Sequence, residues 1–247
     1  MNTLNLNSTN VTGFASKGKV NFNQSSVKSD FATVEAFKTL RSNLLFSGSD
    51  IKTIIVTSTF ENEGKSTVSA ELSKGLAEIG KKTLMIDADM RKSVTLRKTV
   101  KNLNVMGLSE LLTNQATIDQ VLYNTQLPDF DIIFSGHFPP NPVELVSSPR
   151  FVELLEKFKS VYDYIIIDTP PLAPVIDAAV ISANCDGAIL VVSPGKARIK
   201  ETLAVKEQLL KSGCKILGAV VNQTDYKHRN LVNKKYYSYY GDKDSKK

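Results

Sequence analysis

Cysteine is scarce in this sequence of 247 residues, and long hydrophobic runs are absent. The two cysteines, Cys185 and Cys214, stand alone and far apart, which favours buried thiols in a reducing compartment over a disulfide framework or a metal site. No apolar stretch approaches the roughly 18 residues needed to cross a bilayer. Residues 1–10 lack the basic start and the apolar stretch of a signal peptide. These absences exclude a disulfide-rich secreted protein and predict a soluble, cytoplasmic chain.

Positive charge is in excess, but it is concentrated at the two ends of the chain. The net charge is +6; residues 226–247 contribute +5 and residues 1–29 contribute +3, which leaves −2 for residues 30–225. A groove that binds nucleic acid needs its basic residues on the folded body. The distribution therefore predicts solvated tails, which could lie near an anionic membrane surface, and argues against a nucleic-acid partner.

Composition divides the chain into three parts. Residues 1–29 are predicted to form a flexible arm, residues 30–225 one domain, and residues 226–247 a flexible tail. The domain begins with a predicted helix over residues 30–46, because apolar residues recur there at helical spacing. Short Val/Ile/Leu-rich strands then alternate with helical stretches. This alternation predicts an α/β fold with a mostly parallel central sheet and helices on both faces. The predicted strands are 53–57, 83–86, 130–134, 164–167, 188–192 and 216–221, and the later helices are 65–79, 108–113, 149–160, 175–183 and 197–212.

A phosphate-binding loop is predicted directly after the first of these strands. Residues 59–67 match the G-x-x-x-x-G-K-[ST] pattern of P-loop NTPases in its last three places, with Thr59 where the first glycine usually stands. A helix beginning at Gly64-Lys65 would present backbone N–H groups and its positive dipole end to a phosphate. Lys65 would reach the β- and γ-phosphates of ATP, and the Ser66 hydroxyl would coordinate Mg²⁺. The predicted nucleotide-binding residues of the loop are Thr59, Glu63, Gly64, Lys65, Ser66 and Thr67.

Acidic residues end two further predicted strands. Asp87 and Asp89 stand two positions apart, so their carboxylates point to the same side if the strand geometry continues. Asp168 ends another apolar strand, the Walker B arrangement in which a carboxylate holds the water shell of Mg²⁺. Each acid alone could equally cap the next helix. Because ligands of parallel sheets bind beyond the carboxyl ends of the strands, the acids and the loop together predict a site for ATP and Mg²⁺. Arg91 is a candidate for a phosphate contact or an ordinary surface residue, and Asn222 is a candidate for the adenine edge.

This set of motifs resembles the bacterial tyrosine kinases of polysaccharide export, in their cytoplasmic-subunit form. The resemblance covers residues from about 31 to 241 and includes an apolar strand followed by D-x-D-x-R, which Asp87, Asp89 and Arg91 match. A further family-like stretch spans residues 136–145, and its proline-rich part should be an extended loop that feeds a helix. The loop departs from the family pattern, since Glu61-Asn62 replaces Pro-Gly, and Ser93 replaces a later proline.

The resemblance implies roles for individual residues. Asp87 would accept the proton of a tyrosine hydroxyl, while Asp89 and Asp168 hold Mg²⁺ and Lys65 neutralises the γ-phosphate. Septum-site and chromosome-partitioning ATPases share the fold but carry an extra lysine in the loop, where this chain has Phe60. The tyrosine kinase is therefore the preferred interpretation. A positioning ATPase without kinase activity and a non-catalytic nucleotide-binding adaptor are the alternatives.

Four tyrosines lie within five positions of the tail. They lack the in/out alternation of a strand and are followed by charged residues, so a flexible tail with phosphoacceptors is predicted. Each phosphotyrosine would add about −1.5 to −2 charges. Full modification would make the basic tail negative and repel it from an acid-lined site, which is a hypothetical off-switch. The candidate acceptors are Tyr236, Tyr237, Tyr239 and Tyr240.

The first predicted helix offers a candidate self-association surface. Glu35, Lys38 and Arg41 resemble the family's E-x-x-R-x-x-R motif, with Lys38 in place of the first arginine. The alternative is a solvated helix with an i,i+3 ion pair.

The resemblance further implies a homo-oligomer, in which a ring is one arrangement, and a membrane-anchored activator subunit with a cytoplasmic C-terminal segment. The expected location is the inner face of the plasma membrane, and the expected process is capsular or exopolysaccharide synthesis and export.

Overall fold

The computed structural model of the chain describes residues 16–20, 31–93 and 105–224. The rest of the predicted arm and the four candidate tyrosines of the tail lie outside these residues. The described helices are α1 (Phe31–Leu45), α2 (Lys65–Ala77), α3 (Leu108–Leu112), α4 (Ile118–Val121), α5 (Pro142–Val146), α6 (Pro149–Lys159), α7 (Asp177–Ser182) and α8 (Ile199–Lys211). The described strands are β1 (Gly18–Val20), β2 (Thr53–Ser58), β3 (Thr83–Asp87), β4 (Leu122–Thr125), β5 (Phe130–Ile133), β6 (Tyr164–Asp168), β7 (Gly187–Val192) and β8 (Ile216–Val221).

These strands form one sheet in the order β1-β4-β5-β3-β6-β2-β7-β8. Neighbouring strands run parallel except β4 and β5, which are antiparallel. Every residue of β2, β3 and β6 is buried, as expected for central strands covered on both faces. The register pairs Asp168 with Val56 of β2 and with Asp87 of β3. The three strands that carry the predicted site therefore end at the same edge of the sheet.

Alternate residues of the central strands face two different helix layers. Ile54 and Val56 pack in a cluster with α1 and α2, whereas Ile55 packs in another cluster with α6, α7 and α8. The strand period of two residues explains this division, because successive side chains point to opposite faces. Burying each such Val or Ile side chain contributes about 1.5–3 kcal/mol, so both helix layers are held firmly to the sheet that positions the loop.

The predicted strands and helices agree with the structure to within one or two residues at each end. Four short elements, β1, α4, β4 and α5, are absent from the predicted pattern. The strand Gly18–Val20 lies within the predicted flexible arm, where it pairs in parallel with Tyr123–Thr125. The four missed elements have three to five residues of mixed polar and apolar character, so they show neither an apolar run nor a periodicity that could indicate them.

The structure also describes the two cysteines and the length of the helices. Cys214 is buried and Cys185 half-buried, and both are free thiols. Burial raises the pKa of Cys214 to about 11 and the pKa of Cys185 well above its ordinary value, so neither is an activated thiolate. None of the helices in the described part of the chain has the length and apolar character of a membrane span.

Candidate active site

The loop between β2 and α2 is a tight turn at the carboxyl edge of the sheet. Asn62 and Gly64 have φ angles of 63° and 92°, in the left-handed region. Gly64 is the N-cap of α2, whose first turn contains Lys65, Ser66 and the half-buried Thr67. The first N–H groups of a helix have no intrahelical partner and carry partial positive charge. This geometry suits a bound phosphate.

Buried side chains attach the loop to its surroundings. The Glu63 carboxylate accepts hydrogen bonds from the backbone N–H groups of Phe60 at 3.0 Å and Ser193 at 3.3 Å. Asn222 Nδ2 donates to the Glu63 carbonyl oxygen at 2.9 Å, so the side chain proposed for the adenine edge lies beside the loop and contacts its backbone. Thr59 is buried, and its hydroxyl donates to Thr202 Oγ1 of α8 at 3.3 Å.

Lys65 lies among the carboxylates that follow β3 and β6. Its side chain is 9% exposed, and its Nζ is 3.4 Å from Asp89 Oδ2. Burial lowers the pKa of Lys65, but attraction to Asp168 and Asp89 outweighs burial and leaves the pKa above its ordinary value. The ammonium group therefore stays charged at neutral pH and can neutralise an anionic ligand.

Asp87 and Asp168 are buried neighbours on paired strands. Burial, together with the charge of Asp168, raises the pKa of Asp87 well above its ordinary value. Burial raises the pKa of Asp168 to about 6, although Lys65 opposes that rise. The Ser93 hydroxyl donates to Asp87 Oδ2, and the backbone N–H of Asp89 donates to Asp87 Oδ1 at 3.1 Å. Both oxygens of the Asp87 carboxylate are thus held in place.

The oxygen donors of this cluster fit Mg²⁺. Ser66, Asp89 and Asp168 are all buried at the edge of the sheet, and a hard cation prefers hydroxyl and carboxylate oxygens. No three His, Cys, Asp or Glu side chains of residues 16–20, 31–93 and 105–224 form a ready-made metal cage. Mg²⁺ usually binds through one or two carboxylates, several waters and the phosphates of a nucleotide, so an incomplete protein cage is the expected arrangement.

Arg91 forms an intramolecular ion pair. Its Nε and Nη2 lie 3.0 Å and 3.1 Å from the two carboxylate oxygens of Asp177. The Asp177 side chain is 3% exposed, whereas that of Arg91 is 38% exposed. This bidentate pair ties the segment after β3 to the first turn of α7. A phosphate contact of Arg91 stays a prediction, because a ligand would have to compete with Asp177.

The candidate self-association residues lie on α1. Lys38 Nζ and Glu35 Oε1 form an exposed i,i+3 ion pair at 2.7 Å. Arg41 Nη1 donates to the Gly75 carbonyl oxygen of α2 at 2.9 Å, so part of its hydrogen-bonding capacity is used within the chain. The ion pair is the one expected of a solvated helix, and self-association through α1 stays a prediction.

Glu110 supports the segment after β5, and no motif of the sequence pointed to this role. Its buried carboxylate accepts hydrogen bonds from the backbone N–H groups of Gly107 at 2.7 Å and His137 at 3.1 Å, and His137 Nδ1 lies at 2.8 Å. Burial raises the pKa of Glu110, but these hydrogen bonds outweigh burial and leave the pKa below its ordinary value. The bond from the Gly107 N–H to the Glu110 carboxylate is half of a capping box. Because glycine has no side chain, the S/T-x-x-E pattern that signals such a box is absent from the sequence.

Known proteins of similar sequence assign the chain to a family. Residues 51–212 match a family model described as an AAA domain. The tyrosine-protein kinase CpsD of Streptococcus agalactiae is 38% identical over 215 residues, which cover 87% of this chain and 93% of that protein. The chain belongs to the tyrosine-protein kinase family. The preferred interpretation of the sequence is thereby confirmed, and the enzyme class is that of a P-loop, nucleotide-binding tyrosine kinase.

Solved structures agree with membership of the tyrosine-protein kinase family. The chimerical protein CapA2B2 has a TM-score of 0.75 and 34% identity, covering 86% of this chain and 96% of that one. The kinase domain of the Escherichia coli tyrosine kinase ETK has a TM-score of 0.71 and 32% identity, covering 78% of this chain and 77% of that one. The predicted α/β P-loop fold is confirmed.

Proposed function

We propose that this tyrosine kinase uses ATP to phosphorylate the tyrosine cluster of its own tail. The proposal is based on four side chains that lie together beside the phosphate-binding loop. They provide a charged anchor, a base and metal-binding oxygens at one edge of the sheet, and they are Lys65, Asp87, Asp89 and Asp168. The tail supports the choice of acceptor, because four of five consecutive positions are tyrosine. These acceptors are Tyr236, Tyr237, Tyr239 and Tyr240.

The loop and Lys65 would bind the phosphates of ATP. The N–H groups around Gly64 and the first turn of α2 supply hydrogen-bond donors, and the buried ammonium of Lys65 supplies a full positive charge. Ser66, Asp89 and Asp168 would hold Mg²⁺, which when bound neutralises phosphate charge. Asn222, at the carboxyl end of β8, is close enough to the loop for its remaining amide oxygen to meet the adenine edge.

Asp87 would act as the base. Its two oxygens are oriented by the Ser93 hydroxyl and the Asp89 N–H, which leaves their remaining lone pairs for a substrate hydroxyl. As the tyrosine oxygen forms its bond to the γ-phosphorus, Asp87 accepts the hydroxyl proton. The bond between the γ-phosphorus and the bridging oxygen breaks, and ADP leaves with the electron pair. The pKa of a free tyrosine is about 10, so a positioned base assists this transfer at neutral pH.

The biological setting is proposed from the same resemblance. The kinase would act at the inner face of the plasma membrane through a membrane-anchored activator subunit with a cytoplasmic C-terminal segment, and as a homo-oligomer. A similar solved structure is that of a chimerical protein, CapA2B2, which is in keeping with a kinase that works joined to another protein. The process would be the control of capsular or exopolysaccharide synthesis and export.

A labelling experiment tests this proposal. The full chain is incubated with γ-labelled ATP and Mg²⁺, with and without a candidate activating segment, and labelled peptides are mapped. Label on the tail tyrosines that disappears in Lys65→Met and in Asp87→Asn supports the autokinase. Hydrolysis without protein label would instead support a positioning ATPase, and nucleotide binding without either reaction would support an adaptor. A tail variant with all four tyrosines changed to Phe should lose the label while it still binds ATP.

A further inference from the structure

The phosphate-binding loop is held from outside by residues that follow β7 and β8. Gln223 Nε2 donates to the Asn62 carbonyl oxygen at 3.0 Å, and the neighbouring Asn222 donates to the Glu63 carbonyl oxygen. Ser193 Oγ in turn donates to Gln223 Oε1 at 2.8 Å. The contacts to the loop cross about 160 positions of sequence, so none follows from local chain geometry.

These two amide contacts fix the direction of two successive peptide planes. In a trans peptide the C=O of one residue and the N–H of the next point in opposite directions. Because Gln223 holds the Asn62 carbonyl and Asn222 holds the Glu63 carbonyl, the N–H groups of Glu63 and Gly64 point away from both amides. Successive N–H groups that share a direction form a concave anion site. The left-handed φ angles at Asn62 and Gly64 are compatible with such a turn.

We propose that Gln223 and Ser193 are positioning residues that orient the loop N–H groups for phosphate. Ser193 fixes the Gln223 side chain, and Gln223 fixes the peptide between Asn62 and Glu63. The loop of this chain has Glu61-Asn62 where the family pattern has Pro-Gly, so it lacks the fixed φ angle of a proline. Gln223 and Ser193 would supply part of the missing rigidity. The inference rests on nucleotide binding at this loop, which is part of the proposed function.

Binding of ADP to the full chain in the presence of Mg²⁺, measured by calorimetry, tests the inference without requiring kinase activity. Gln223→Gly removes the side chain but suits the left-handed φ of 56° at this position. The variant loses the hydrogen bond to the Asn62 carbonyl. A hydrogen bond contributes about 0.5–1.5 kcal/mol, which corresponds to roughly a three- to tenfold increase in the ADP Kd. Ser193→Ala should weaken binding less, and the double variant should match Gln223→Gly alone, since Ser193 acts through Gln223.

Asn114→Gly is the matched control. Asn114 is an exposed amide residue with a φ of 60°, at the end of α3 and outside the loop contacts, so its replacement should change neither ADP affinity nor kinase activity. The thermal midpoint of ligand-free Gln223→Gly should fall below that of this control by no more than the loss of its two hydrogen bonds predicts. In kinase assays, Gln223→Gly should raise KM for ATP by a larger factor than it lowers kcat.

The possible outcomes separate the two claims. Unchanged ADP affinity in Gln223→Gly, or a double variant whose effect is the product of the two single effects, would overturn the positioning role while the proposed function stands. A lower thermal midpoint with unchanged Kd would show a purely structural role and overturn it as well. If the unaltered chain binds no ADP, the proposed function fails, and the inference fails with it.

Discussion

Replacement of Gly64 by Ala should weaken nucleotide binding far more than it destabilises the fold. Gly64 has a φ of 92°, and a Cβ atom built on it would overlap the Asn222 side-chain nitrogen. A left-handed conformation costs a non-glycine residue about 1–2 kcal/mol. Displacement of Asn222 would also break its hydrogen bond to the Glu63 carbonyl, worth about 1 kcal/mol. The loop of the variant can relax in the free protein, but bound phosphate would require its original shape.

The two costs together are about 2–3 kcal/mol, which corresponds to roughly a 30- to 150-fold increase in Kd. Calorimetric titration of the full chain with ADP and Mg²⁺ measures this increase directly. Gly80→Ala is the matched control, because Gly80 has a φ of 75° but a Cβ there meets nothing within 4 Å. The control should lose stability of about 1–2 kcal/mol from backbone strain and keep its ADP affinity.

A double variant distinguishes the overlap from the strain. In Gly64→Ala with Asn222→Ala the overlap is gone, but the strain and the lost hydrogen bond remain. Because Asn222 is also the candidate for the adenine edge, the double variant should bind ADP no more tightly than Gly64→Ala, and a recovery of affinity would assign the loss to the overlap. If Gly64→Ala instead binds ADP within twofold of Gly80→Ala, the loop does not need the conformation described here. Neither the left-handed φ of Gly64 nor its contact with Asn222 would then control nucleotide binding.

Two further predictions concern the supports of the site. Arg91→Ala should lower the free energy of unfolding by about 1–3 kcal/mol in urea titrations, because it leaves the buried Asp177 carboxylate without its bidentate partner; unchanged stability would contradict the assigned pair. Glu110→Gln should cost a similar amount at pH 7, since one amide oxygen cannot accept from both sides as the carboxylate does. The folded-state pKa of Glu110 is depressed, so its stabilisation is present above the ordinary pKa of 4.5 and is lost as the pH falls through the folded pKa. The difference from wild type should therefore shrink in acid, whereas Glu153→Gln, at an exposed position of α6, should leave the free energy of unfolding at pH 7 unchanged.

The central part of the site could be predicted from the sequence because its geometry follows from strand pattern alone. Buried parallel strands appear as near-continuous Val/Ile/Leu runs, and their carboxyl ends meet at one edge. Asp87 and Asp168 each end such a run, so their proximity was predictable before their register was known. Lys65 follows from the loop motif, whose match survives the missing first glycine because the helix and its lysine are retained.

The supports of the site could not be predicted in the same way. The Arg91–Asp177 pair spans 86 positions, and the Gln223–Asn62 contact spans 161. A carboxylate or an amide in a loop has many possible partners, and only the folded chain selects one. The same limit applies to β4, whose four residues are irregular in composition and become a strand by pairing with β1 and β5.

The charge balance of the site explains why the proposed nucleotide and metal belong together. Among the residues that the structure describes, three buried carboxyl groups interact with the ammonium group of Lys65: those of Asp87, Asp89 and Asp168. Two unit charges 4 Å apart near a protein surface interact by about 4 kcal/mol, so a polyphosphate entering this cluster alone would meet repulsion from each carboxyl group that is ionised. Lys65 can offset only one of the negative charges, and the oxygen donors that cause the repulsion are also those that a divalent cation prefers. A site of this composition therefore favours a nucleotide that arrives with Mg²⁺ over the free nucleotide, and it does so independently of the unusual residues in the loop.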